Sequence, residues 1–163
     1  MGKVLASFTN GWPGAPSRSI DEIIISMRNG SGGDISFGAP IFFRTGQNSC
    51  APFNPANAAS FTADQFIGFS VRSGVKTPEV YGSNEAYYKS NDIVEILVRG
   101  AIVLKFDEGA EPGDSVYIRK EDGAFVTEAG TSGSTIELPN VHVKTVSDSE
   151  NRSEVVVLKR NLL

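Results

Sequence analysis

The segment from Asp92 to Phe106 restricts the fold more than any other part of the chain. Val94, Ile96 and Val98 share one face of an extended strand, while Glu95 and Arg99 lie on the other with Ile93 and Leu97. Gly100 interrupts the run, as glycine does at a barrel corner or a bulge. Ile102, Leu104 and Phe106 then continue an apolar face opposite Lys105. A strand of this character sets a β reading for the text around it.

The neighbouring segments follow suit. Pro40-Ile41-Phe42-Phe43-Arg44 is a short apolar run between Gly38 and Gly46, and Cys50 to Asn57, with Pro52 and Pro55, reads as irregular. In Phe66-Ile67-Gly68-Phe69-Ser70-Val71, alternation puts Phe66 and Gly68 on one face and Ile67, Phe69 and Val71 on the other. Glu111-Pro112-Gly113-Asp114 suits a type II turn, with Gly where positive φ is required. It feeds Ser115 to Arg119, and Asp122-Gly123 reads as a primed hairpin turn returning through Phe125-Val126-Thr127. Thr135 to Leu138, Val141 to Val146 and Glu154 to Leu158 are three further apolar stretches. Short strands at this spacing predict a mainly β chain, a small antiparallel barrel or sandwich.

Residues 19–30 carry two signals. Ile20, Ile23, Ile24 and Met27 have helical spacing behind a Ser19/Glu22 capping pair, with Gly30 placed to close the helix. The β-branched run Ile23-Ile24-Ile25 is stiff against a helical turn and tips the reading to strand. Before it, two prolines and two glycines keep Asn10 to Pro16 out of helix and central strand. Residues 1–18 therefore read as an extended N-terminal arm and residues 19–163 as a β-barrel-like domain. The arm carries Phe8 and the single Trp12, side chains too apolar to leave wet without reason. Either it folds back on its own domain or it docks on another chain.

Composition removes several functional classes. A net charge of −4 gives no electrostatic footprint for nucleic acid or an anionic membrane surface, so neither is expected as a partner. One Cys and one His assemble neither an intrachain disulfide nor a Cys/His zinc site. Gly30-Ser31-Gly32-Gly33 lacks the Lys-Ser/Thr ending of a phosphate loop. No cofactor and no metal are expected. His142 alternates with Val141 and Val143 and reads as a polar-face strand residue; no nucleophile elbow accompanies it. Cys50 has Arg44 as its nearest cation in sequence and reads as a semi-buried loop residue rather than a reactive thiol. Asp107, Glu108, Glu111, Asp114, Glu121 and Asp122 form the densest acidic patch, in turns that are commonly acidic because they are wet. No catalytic residue is assigned, and the chain is not expected to be an enzyme.

The order of the pieces carries more than any one of them. A Pro/Gly arm precedes Ile35-Ser36-Phe37-Gly38-Ala39-Pro40-Ile41, then Phe66-Ile67-Gly68-Phe69-Ser70-Val71-Arg72. Tyr87-Tyr88 follows, then Asp92 to Val103, Pro112-Gly113-Asp114-Ser115-Val116-Tyr117 and a terminal Val155-Val156-Val157-Leu158. From Asp34 to Leu158 this resembles the structural cement (capsid decoration) proteins of tailed bacteriophages. That resemblance implies a small β-barrel-like domain that trimerises on the outer surface of an icosahedral shell. It would sit at threefold and quasi-threefold positions and clamp neighbouring major capsid subunits. The expected partners are the major capsid protein and two further copies of this chain. The expected location is the virion surface, after synthesis in the bacterial cytoplasm. Phe8, Trp12, Pro13 and Arg18 are then the expected capsid contacts. The alternative is a carbohydrate-binding or host-adhesion β module on a virion, using exposed Tyr81, Tyr87 and Tyr88 to stack on sugars. A lyase or hydrolase working through the acidic patch is a third class.

Overall fold

The computed structural model describes residues 10–17, 21–72 and 87–158. Among the described residues eleven strands follow in chain order: β1 (Ile23–Arg28), β2 (Ile35–Ser36), β3 (Pro40–Phe43), β4 (Cys50–Pro52), β5 (Phe66–Ser70) and β6 (Tyr87–Tyr88). After them come β7 (Ile93–Lys105), β8 (Ser115–Arg119), β9 (Phe125–Val126), β10 (Thr135–Val143) and β11 (Arg152–Val157). One antiparallel sheet runs β4-β3-β5-β7-β11-β10-β8-β9, with β1 also paired to β7. β2 and β6 form a separate two-stranded ribbon. The sheet curls at both ends. Asp107 N–H donates to Phe125 O at 3.0 Å beside a Phe106–Phe125 bridge, and Gly30 N–H donates to Cys50 O at 2.9 Å beside an Asn29–Cys50 bridge. The molecule is thus two curled lobes sharing β7, a mainly β fold as the strand spacing predicts.

β7 is shared because its side chains change partners along its length. Val94, Ile96 and Val98 enter a cluster with Ile35, Ile41, Cys50, Ile67 and Tyr88. Beyond Gly100, Ile102, Leu104 and Phe106 enter a larger cluster with Phe42, Phe66, Phe69, Val116 and Val155. In a regular strand all six would point the same way. Gly100 breaks the parity with φ of +126°, a conformation L side chains rarely adopt. A bulge sits beside it: Ile23 faces Arg99 and Ile24 faces Leu97, so Val98 has no counterpart on β1.

A second bulge corrects the alternation read in β5. Ile41 faces Gly68 but Phe42 faces Phe66, leaving Ile67 as the extra residue. Phe66 and Phe69, expected on opposite faces, therefore share one core with ring centroids 5.2 Å apart. Ile67 goes to the other core. The pair belongs to a run of edge-on and tilted phenylalanines through Phe53, Phe61, Phe42, Phe66, Phe69, Phe125 and Phe106, with centroid spacings of 5.1 to 6.2 Å along the run. Rings in this geometry add to the stability of area burial alone.

Other expectations need similar adjustment. Residues 19–30 contain strand β1 from Ile23 to Arg28, as the β-branched run argues, while Ser19 and Ile20 fall outside the described residues. Cys50–Pro52, read as irregular, pairs with β3, and Cys50 is fully buried in a strand rather than semi-buried in a loop. Thr135–Leu138 and Val141–Val146 contribute to a single strand ending at Val143, which absorbs Asn140 at φ +60° in a register shift. The β8–β9 turn is not of the primed type. Positive φ falls on Gly123 but not on Asp122, and Gly123 N–H closes back on Arg119 O at 2.8 Å. Asp122 instead caps the turn, accepting from Ala124 N–H at 3.0 Å. The Pro112-Gly113 turn has the expected form, with Gly113 at φ +98° and Asp114 N–H donating to Glu111 O.

Gly68 lets β5 approach β7. A methyl group there would collide with the carbonyl oxygen of Leu97, and a backbone atom in a central strand has little room to yield. Gly109 has open space around it and an ordinary φ. Gly68→Ala is expected to lose about 3 kcal/mol or more in urea unfolding, in the manner of overpacked cores. Gly109→Ala should stay within about 0.5 kcal/mol of the parent.

Candidate functional site

The surface to which the sequence points is the leading segment. Its described part, Asn10 to Ser17, lies along β7 as a strap. Trp12-Pro13-Gly14-Ala15 is a turn closed by Ala15 N–H donating to Trp12 O at 2.9 Å, with Pro second and Gly14 third at φ +79°. These are the residue types a type II turn demands. Gly14 N–H then donates to Val103 O, Val103 N–H to Ala15 O, and Ser17 N–H to Ala101 O, all within 2.9 to 3.0 Å. Arg72 N–H donates to Gly14 O at 2.7 Å from the body. Glycine at both Gly14 and Gly38 permits this contact, since a Cβ on Gly14 would sit 2.7 Å from Phe37 Cβ and one on Gly38 would sit 2.8 Å from Gly14 N.

The start of the strap is fixed by the β10–β11 hairpin. Asn10 N–H donates to Asp148 Oδ2 at 3.1 Å, and its Nδ2 donates to Val146 O at 3.0 Å and to Arg152 O. Asn10 Oδ1 accepts from Thr145 Oγ1 at 3.3 Å. Beneath it lies a buried ion pair, Arg152 Nε to Asp148 Oδ2 at 3.0 Å. Arg152 also reaches Glu150 at 3.2 Å, and its guanidinium stacks 5.5 Å from the Trp12 ring centroid. Asp148 accepts from the N–H groups of Arg152 and Glu150 as well. Burial would raise the Asp148 carboxyl, but hydrogen bonds from the Arg152, Asn10 and Glu150 amides and from the Arg152 side chain outweigh it and hold the group at about 2.

Of the expected contact residues, Trp12 has one face on Arg152 and remains 49% exposed, and Pro13 is half-buried in the turn. Phe8 and Arg18 lie outside the described residues. Periodicity overlooks Asn10, Asp148 and Arg152 as a unit. Asp148-Ser149-Glu150-Asn151 is legible as a turn, with Asn151 at φ +57°. Its partner is 138 residues away, and no local pattern points there.

The remaining candidates are scattered. His142 sits half-buried in β10 between Ser115 and Val156. Burial pushes the Cys50 thiol up to about 11, against a smaller lowering by a backbone hydrogen bond, so it is protonated at neutral pH. In the acidic patch, Arg119 bonds Asp122 and also Asp107 at 2.8 Å. The Arg119 hydrogen bond, helped by Ala124 N–H, lowers the Asp122 carboxyl. Among the described residues no group of three or more His, Cys, Asp or Glu is placed to hold a metal ion. For sugar stacking, Tyr81 lies outside the described residues and Tyr87 is exposed. Tyr88 is not available: it is 1% exposed, donates to Val71 O at 2.7 Å and packs edge-on to Phe37.

The molecule is a curled β body with an ordered leading strap laid along β7. The chain belongs to the phage structural cement family: the family model described as structural cement protein (E217 gp24/Pam3 gp6) matches residues 3–161. Its role is therefore structural and capsid-associated. The fold is similar to that of a chain in the capsid of Myoviridae phage XM1, at 17% identity, 96% coverage of both chains and a TM-score of 0.68. A looser similarity, at 10% identity and a TM-score of 0.42, covers 86% of this chain and 99% of the head fiber gp8.5 N base of bacteriophage phi29. No curated protein matches.

The ion pair beneath the strap sets a pH response. Asp148 titrates lower in the folded chain than its ordinary 3.8, so its contribution is complete above about pH 4 and is lost as pH falls towards 2. Hydrogen exchange at the Gly14 and Ser17 amides should therefore accelerate between pH 4 and pH 2.5 relative to core amides, after correction for intrinsic rates. Asp148→Ala should cost about 3 kcal/mol, because it removes the buried carboxylate and leaves the buried Arg152 guanidinium only the exposed Glu150 as an ionic partner.

Proposed function

We propose that this chain is a capsid decoration protein that binds the outer surface of a phage shell and stabilises it mechanically. It acts as a homotrimer at threefold and quasi-threefold positions, each copy clamping neighbouring major capsid subunits. The observation that carries this reading is the family match, which spans residues 3–161 and so takes in the strap together with both lobes. The strap gives the match a physical sense. Asn10 is held at the β10–β11 hairpin by four hydrogen bonds, so the residues before it start from a fixed point on the body.

Trp12 is the natural anchor. One side of its ring is seated on Arg152 while half its surface is open, so little side-chain freedom is left to lose on docking. Large aromatics of this kind dominate interface energetics. Phe8, Pro13 and Arg18 extend the same contact along the segment. Three such footholds joined in a trimer reinforce one another through high effective concentration, so each can be weak alone.

Cosedimentation with shells stripped of this protein tests the reading. The parent chain should pellet with the shells, and a chain lacking residues 1–9 should do so at least tenfold more weakly. Trp12→Ala should lose about 2 kcal/mol, roughly thirtyfold in affinity. Undiminished binding by both variants would remove the arm from the mechanism. A parent chain that ignores shells would remove the function itself. Light scattering on shell-free and shell-released protein should report three copies per particle in at least one of the two.

A further inference from the structure

We propose that Asn10-Gly11 is a site of spontaneous covalent modification: the Asn10 carboxamide becomes an acid when the strap lifts, and the strap does not re-seat afterwards. The inference concerns this chain alone and does not depend on what the chain binds. Asparagine is a thermally labile residue. It is most labile before glycine, where no Cβ shields the backbone nitrogen that attacks the side-chain amide. The chain holds two such pairs, Asn10-Gly11 and Asn29-Gly30.

The fold treats the two pairs differently. Asn29 is fully buried; its Nδ2 donates to Gly33 O at 2.8 Å and to Lys89 O at 3.0 Å, and its Oδ1 accepts from Ser31 N–H at 3.0 Å. The nitrogen that would attack, Gly30 N, is committed to Cys50 O at 2.9 Å. Asn10 and Gly11 are half-buried, and among the described residues Gly11 N–H has no hydrogen-bond acceptor. What holds the Asn10 carboxamide away from that nitrogen is its own seat: Nδ2 on Val146 O and Arg152 O, and Oδ1 on Thr145 Oγ1. These bonds last only while the strap is down. Gly14 alone is buried among residues 10–17, and a segment with so little buried surface opens well before the body unfolds.

With the strap lifted, Gly11 N gives up its proton and bonds to Asn10 Cγ, and the Cγ–Nδ2 bond breaks. Nδ2 leaves as ammonia, taking that proton with it, and a cyclic imide remains. Water then opens the ring. Cleavage between Gly11 N and Cγ leaves aspartate, and cleavage between Gly11 N and the Asn10 carbonyl carbon leaves isoaspartate. Nothing is oxidised or reduced; water replaces ammonia. Neither product fits the seat. The Val146 and Arg152 carbonyl oxygens, which accepted from Nδ2, would meet another acceptor. The new charge would lie beside the Asp148 carboxylate, which accepts from Asn10 N–H at 3.1 Å, while Arg152 is already paired with Asp148 and Glu150. Isoaspartate also adds a carbon to the backbone, which puts residue 10 out of step with the Gly14 and Ser17 bonds to β7.

The test incubates the full chain in warm, mildly alkaline buffer, with and without guanidinium chloride. Peptide mapping follows the amide-to-acid mass shift and isoaspartate at both pairs. In denaturant the two pairs should convert at comparable rates. In the native chain Asn10 should convert about tenfold more slowly than in denaturant, yet about tenfold or more faster than Asn29. Native conversion of Asn10 no faster than that of Asn29 overturns the site, and conversion at the denatured rate overturns the gating by the strap. Asn10→Asp carries one product in place. At neutral pH it should speed hydrogen exchange at the Gly14 and Ser17 amides about tenfold, with the Leu104 and Val155 amides unchanged. The converted fraction of the parent, isolated by ion exchange, gives a second reading of the same amides. Parent-like protection of Gly14 and Ser17 in that fraction overturns the loss of the seat.

Discussion

One strand has to serve two cores, and much of the structure follows from how it does so. β7 feeds Val94, Ile96 and Val98 into one cluster and Ile102, Leu104 and Phe106 into another. The change of face at Gly100 would be strained for any L residue, and a side chain there would press on Leu97 and Glu22. With that reversal in place, β11 pairs with residues 100–105 while β1 and β5 pair with the earlier half. Two lobes can then curl from a single shared element without a linker between them. Gly68 has the complementary task, allowing the β5 backbone close enough to β7 for the pairing to exist.

The strap depends on the same strand from outside. Its backbone bonds go to Ala101 and Val103, just beyond the reversal, so a change at Gly100 would also disturb the seat of Gly14 to Ser17. At its start, the strap is tied to an ion pair rather than to an apolar pocket. A buried ion pair contributes little net stability by itself, since desolvation offsets much of the attraction. Here its carboxylate is already committed to amides of the hairpin and of the strap. Such an arrangement fixes the position of the strap on the body.

The role of the cement family is structural, so the rigidity of the body bears on it. The seven-phenylalanine run from Phe53 and Phe61 to Phe125 and Phe106 lies within and against the larger core. Interiors packed in this way deform little.

Reading the chain in order was enough for the class of fold, the main strands, the Pro112-Gly113 turn chemistry and the break at Gly100. Those features are local, because alternation and φ preference act between residues a few positions apart. The arm was legible as an irregular segment bearing an aromatic, but not as a strap with a defined seat. Phe66 and Phe69 were assigned to opposite faces because a bulge resets parity through pairing with β3, a strand more than twenty residues earlier. The clamp of Asn10 on Asp148 and Arg152, and the burial of Cys50 and Tyr88, share that cause: each joins residues whose neighbours in sequence say nothing of one another. Local sterics and hydrophobic period determined what kind of surface each segment presents, and only closure of the curled sheet decided which surfaces meet.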